Sequence, residues 1–77
     1  MAWEEQEGKL VRVVTKKDFA EAMEYVNTVA QLAEAANHHP DIHISWNTVT
    51  LHLWTHTENA VTDKDRELAA AIDGLDG

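Results

Sequence analysis

Residues 34–65 read EAANHHPDIHISWNTVTLHLWTHTENAVTDKD, and the way this stretch divides decides the fold. Ile42, Ile44 and Trp46 alternate with His43 and Ser45, the period of a half-buried strand with Trp46 on its core side. Val49, Leu51 and Leu53 alternate with Thr50, His52 and Trp54 in a second strand, so the aliphatic set faces a core and the other set faces away from it. Asn47-Thr48 between them is the turn candidate, although it lacks the glycine of the tightest hairpins. Before the hairpin, Asn37 suits the left-handed residue that closes a helix, and Pro40 pushes His39 into extended backbone. His38 and His39 thus stand on a helix-exit loop, and residues 55–60 form a second loop beyond the hairpin. Trp54 is too large and apolar for an open sheet face without a neighbour, which would be another subunit or a ligand.

On the N-terminal side, residues 2–6 are polar around Trp3, Gly8-Lys9 marks a turn, and the β-branched run Leu10–Val14 reads as a strand. The first strand would lie at the sheet edge. Thr15-Lys16-Lys17-Asp18 resembles a helix start in which Thr15 caps and Asp18 answers. Phe19, Ala22, Met23, Val26, Val29, Ala30 and Ala33 then draw one apolar stripe along a helix. Tyr25 and Leu32 flank that stripe, as core margin or as part of a subunit interface. After the second loop, Thr62-Asp63-Lys64-Asp65 repeats the helix-start pattern, and the helix that follows turns Leu68, Ile72 and Leu75 inward and ends at Gly74 or beyond. The order β-β-α-β-β-α predicts an α+β fold, a four-stranded antiparallel sheet with two helices packed on one face, in a single domain over residues 1–77.

A chain of 77 residues buries only about 60% of its unfolded surface. It has no cysteine for a disulfide, so association with copies of itself is the expected support. Fourteen acidic against six basic residues give a formal charge of −8, which opposes nucleic acid and anionic membrane as partners. No run is long and apolar enough for a membrane span, and Met1-Ala2-Trp3-Glu4-Glu5 lacks the basic start of a secretory signal. A cytoplasmic protein is the expectation.

Three imidazoles, His38, His39 and His56, stand on the two loops. With an unperturbed pKa of about 6.5, one imidazole can act as acid while a neighbour acts as base at neutral pH. That pair suits a reaction that removes a proton at one atom and expels hydroxide as water at another, each transfer contributing roughly 10²–10⁴-fold. There is no cysteine, no Gly-flanked serine and no phosphate-binding glycine loop. The plain alternative for His38-His39 is a polar exit loop. A rival is a metal site of His38, His39, Asp41 and His43, but that spacing fits no standard zinc pattern. His43 and His52 read as polar residues of the open face, Trp46 as core, and Thr62 and Asp65 as the two halves of a helix cap.

The spaced set Glu34, His38-His39-Pro40, Trp46, His56 and Asp65 resembles the signature of the pterin-4a-carbinolamine dehydratase family, also known as the dimerisation cofactor of a homeodomain transcription factor. Lys17-Asp18-Phe19, Ala22-Met23, Val29-Ala30, Ala33-Glu34, residues 37–41 and Thr55-His56 read the same way, so the resemblance covers nearly the whole chain from Trp3.

The resemblance implies a hydro-lyase that dehydrates 4a-hydroxytetrahydropterin, the by-product of aromatic amino-acid hydroxylases, to the quinonoid dihydropterin, with no metal and no cofactor. His38, His39 and His56 would be the catalytic set. His38 and His56 would serve as acid and base at the 4a-hydroxyl and a ring nitrogen, and His39 would chiefly hold the pterin. Glu34, Pro40, Thr55 and Asp65 would bind or support, with Glu34 and Asp65 orienting the imidazoles. The implied assembly is a homodimer or a homotetramer. An alternative is a dehydratase-like binding or assembly protein that acts through its sheet surface. The chain departs from the family in three places. It starts at the first strand without the usual helical lead, Asn59-Ala60 replaces a frequent Gly-Gly, and Trp54 stands where a small polar residue is usual.

Overall fold

The computed structural model describes residues 3–76, so the polar segment read from residue 2 is described from Trp3. The elements are β1 (Glu4–Gln6), β2 (Lys9–Thr15), α1 (Phe19–Ala36), β3 (Asp41–Ser45), β4 (Thr48–Leu53) and α2 (Asp63–Asp73), followed by a 3₁₀ turn at Gly74–Asp76. The four strands form one antiparallel sheet in the order β1-β2-β4-β3. This is the α+β arrangement expected from the sequence, with β1 at an edge.

Register explains the two faces. Leu10 pairs with Leu53, Arg12 with Leu51 and Val14 with Val49, and these side chains lie under the helices. Val11 opposite His52 and Val13 opposite Thr50 point the other way, and Val13 is 58% exposed. Ala22, Tyr25, Val29 and Ala33 of α1 and Leu68, Ala69 and Ile72 of α2 close the core. Arg12 is also buried on the helix side. Its Nη1 donates to Asp73 Oδ1 at 2.7 Å, and Trp3 Nε1 donates to the same oxygen at 2.8 Å. A buried guanidinium requires such a partner, and this one ties β2 and the chain start to the end of α2.

Several sequence expectations are corrected. The cap of α1 is Asp18 rather than Thr15: Asp18 Oδ1 accepts from Glu21 N–H at 2.9 Å, while Glu21 accepts from Lys17 N–H. Phe19 therefore occupies the first helical position and is 50% exposed instead of lying in the core. Ala30 is exposed as well, whereas Tyr25 is buried and Leu32 packs against the core. The buried face of α1 is rotated towards Tyr25 and Leu32 because α1 shares its contacts between the sheet and α2. The β3–β4 turn falls at Trp46-Asn47, one residue before the expected pair. Ser45 pairs with Thr48, which leaves Trp46 at the tip with φ 52° and 65% exposed rather than in the core. Leu75 lies in the 3₁₀ turn beyond α2 and is 37% exposed, so it does not continue the helix's inward face. Among the described residues, no helix is long and apolar enough to cross a membrane.

Candidate active site

The end of α1 is shaped by Asn37, which adopts φ 52° and ψ 42°. Its N–H bonds to Glu34 O and the His38 N–H to Ala33 O, both at 3.1 Å, the pair of bonds that defines a Schellman closure. Asparagine tolerates the left-handed conformation that this closure demands. His38 and His39 leave the helix in a fixed direction, and Pro40 leads into β3 at Asp41.

The other loop is equally defined. Thr55 and Ala60 form an antiparallel bridge, with Thr55 N–H donating to Ala60 O at 2.9 Å. The turn between them is closed by bonds from Glu58 N–H to Thr55 O and from Asn59 N–H to His56 O. Asn59 takes φ 53°, a conformation open to asparagine without a glycine.

These loops meet. Asn37, His38, His39, Trp54, Thr55, His56, Thr57 and Lys64 line one cleft of about 320 Å³. The three imidazoles singled out in the sequence are thus brought together, from the exit of α1 and from beyond β4. Glu34, Pro40 and Asp65 do not line the cleft. Two of them stand behind it as partners of the histidines.

Asp65 is completely buried at the N-terminus of α2. It completes the capping box with Thr62, accepting from the Thr62 N–H through Oδ2 at 2.8 Å. The same oxygen accepts from the Thr55 hydroxyl at 2.8 Å, and Thr55 Oγ1 lies 2.6 Å from Thr62 Oγ1. Because the Thr55 proton is committed to Asp65, the Thr62 hydroxyl is the donor between the two threonines. Oδ1 faces His38 Nε2 at 2.5 Å. Burial pushes the Asp65 carboxyl up more than any other single effect. The hydrogen bonds from His38, Thr62 and Thr55 and the charge of His38 together outweigh it and hold the pKa below the usual carboxylate value. An ionised carboxylate only accepts, so His38 Nε2 carries the proton in this contact.

Glu34 is the corresponding partner of His39 Nε2, but this pair is largely exposed. His56 is held differently, with its ring stacked on the Trp54 indole at a centroid distance of 4.2 Å. His43 and His52 lie on the open sheet face as expected, in edge-to-face contact at 6.0 Å. Among the described residues, no group of three histidine, cysteine or acidic side chains converges as a metal-ligand set. Sequence reasoning missed Lys64 and Thr57 in the cleft lining. No spacing rule marks Lys64, whose only cue is its place in the capped turn beside Asp65.

Residues 1–75 match the family model described as pterin 4 alpha carbinolamine dehydratase. The chain belongs to the pterin-4-alpha-carbinolamine dehydratase family. A relative from Mycolicibacterium vanbaalenii, provisionally named as such a dehydratase, is 48% identical over 75 residues, covering 97% of this chain and 81% of its own. One from Thermomicrobium roseum, named in the same provisional way, is 52% identical over 70 residues, covering 91% and 75%. Among solved structures, a transcriptional coactivator/pterin dehydratase from Brucella melitensis superposes with a TM-score of 0.92 at 31% identity, covering 99% of this chain and 83% of that one. A pterin dehydratase-like protein identified as a RuBisCO assembly factor in the alpha-carboxysome superposes with a TM-score of 0.83 at 25% identity, covering 100% and 92%.

Proposed function

We propose that this member of the dehydratase family converts a 4a-hydroxytetrahydropterin to the quinonoid dihydropterin and water by histidine acid–base catalysis. The observation that carries the proposal is the convergence of His38, His39 and His56, from two separate loops, on one cleft in a chain of this family. One imidazolium gives a proton to the 4a-hydroxyl as the C–O bond breaks, and a neutral imidazole takes the proton from the neighbouring ring nitrogen, so the sum is loss of one water. His38 and His56 take these two parts, and His39 chiefly holds the pterin. Asp65, backed by Thr55, orients His38. Glu34 orients His39, and Pro40 sets its extended backbone. No metal or cofactor is assigned to the reaction.

The test is decay of a synthetic carbinolamine on the purified chain. The double variant His38→Ala/His56→Ala is expected to lose the enzymatic rate, and an unchanged rate overturns the assignment. The proposal includes a cytoplasmic homo-oligomer, a dimer or tetramer, supported by the small core and the apolar residues on the open sheet face. Light scattering on the same sample reports its mass.

A second reading is a binding or assembly protein that acts through that sheet face. It is favoured by the exposure of Val13 and by the assembly-factor neighbour. The clustered imidazoles weigh against it, because a docking surface has no need of three of them. Turnover by the isolated chain, with no partner present, decides for the enzyme.

A further inference from the structure

The three cleft histidines are not held alike. His38 and His39 each have Nε2 committed to a carboxylate, Asp65 and Glu34. Among the described residues, no hydrogen bond reaches either ring nitrogen of His56. Its plane is set instead by Trp54, with centroids 4.2 Å apart and an interplanar angle of 24°. On the same indole, the Lys9 ammonium stands 4.5 Å from the ring centroid. Stacked rings and a cation over indole are both attractive arrangements, and indole is the strongest of the side-chain rings for the second.

We propose, resting on the dehydratase reading, that Trp54, braced by Lys9, is the positioning residue for His56. The stack fixes the plane of the imidazole at the cleft and leaves both nitrogens open to proton exchange with the pterin. A carboxylate partner would occupy one of them. The stack also gives a purpose to a large apolar side chain on the open side of the sheet.

The experiment combines kinetics with proton NMR of the full chain carrying labelled histidine. In the wild type the His56 ring protons are expected upfield, displaced by the indole ring current. Trp54→Ala is expected to abolish that displacement and to lower kcat roughly ten- to a hundredfold, the scale of a small misplacement of a reacting group, with KM nearly unchanged. Trp54→Phe keeps a stacking ring and is expected to restore most of both readouts. Lys9→Met leaves the cleft lining intact and is expected to move both in the same direction by less. An undisplaced His56 resonance in the wild type overturns the proposal. So does a Trp54→Ala variant whose KM rises while kcat is kept, since that marks direct contact with the pterin. A wild type that shows the ring-current displacement but no turnover overturns the dehydratase reading alone, because the stack is read without activity.

Discussion

His38 Nε2 and Asp65 Oδ1 lie 2.5 Å apart although 27 residues separate them in the chain. Asp65 serves two elements at once. Its Oδ2 caps α2 through the Thr62 N–H and receives the Thr55 hydroxyl, while Oδ1 fixes the tautomer of His38. A residue that answers a helix cap is therefore also the one that faces a cleft imidazole.

Asp65→Asn keeps the shape but replaces an acceptor by an amide that can donate. The variant is expected to lose about 1–3 kcal/mol of stability through the weakened cap and the buried partners left without an acceptor. Its kcat is expected to fall by more than tenfold, because His38 is no longer held with Nε2 protonated. Urea denaturation and carbinolamine decay measure the two effects separately. A variant that loses stability alone would confine Asp65 to the cap.

Acid should reveal the same carboxylate. The folded pKa of Asp65 lies below its ordinary value, so between the two the unfolded chain binds more protons than the folded one, and stability rises with pH there. The contribution is complete above the unfolded value of about 3.9 and is lost as pH falls through the lower folded value. Urea midpoints measured below about pH 4 should drop more steeply for the wild type than for Asp65→Asn. Parallel curves would show that Asp65 does not titrate with folding.

Glu34→Gln touches an exposed pair with His39, with side chains 76% and 56% accessible. Exposed ion pairs contribute little to stability. The denaturation midpoint is expected to stay in place while KM for the pterin rises, as His39 loses its orientation. A shifted midpoint with unchanged kinetics would make the pair structural.

Leu51 is fully buried in the central strand β4, opposite Arg12. Leu51→Ala is expected to cost about 2–5 kcal/mol, since the lost contacts and the cavity add. In a chain this small, that is a large share of a typical stability of about 5–15 kcal/mol. Calorimetry should show a marked fall in Tm, whereas Phe19→Ala, at a half-exposed site, should shift it far less.

Most of the architecture is legible in short-range patterns. Alternation over residues 49–53, the stripe from Ala22 to Ala33, the closing Asn37 and the cap at Thr62 each depend on backbone and side chains a few residues apart, so they can be read along the chain. The errors arise where two local rules compete. Thr15 and Asp18 both suit a helix start, and only the continuation of β2 through Thr15 decides for Asp18. Trp46 fits the alternation of β3, yet the pairing of Ser45 with Thr48 makes it a turn residue.

By itself the sequence determined the elements, their order, the aliphatic face of the sheet and the placement of histidines on two loops. Those are consequences of period and of capping chemistry. Tertiary structure alone decided that His38 finds Asp65, that His56 lies against Trp54 and that Arg12 can be buried because Asp73 reaches it. Each of these joins residues from different elements. Such contacts follow from how helices and sheet pack together, which no local pattern encodes.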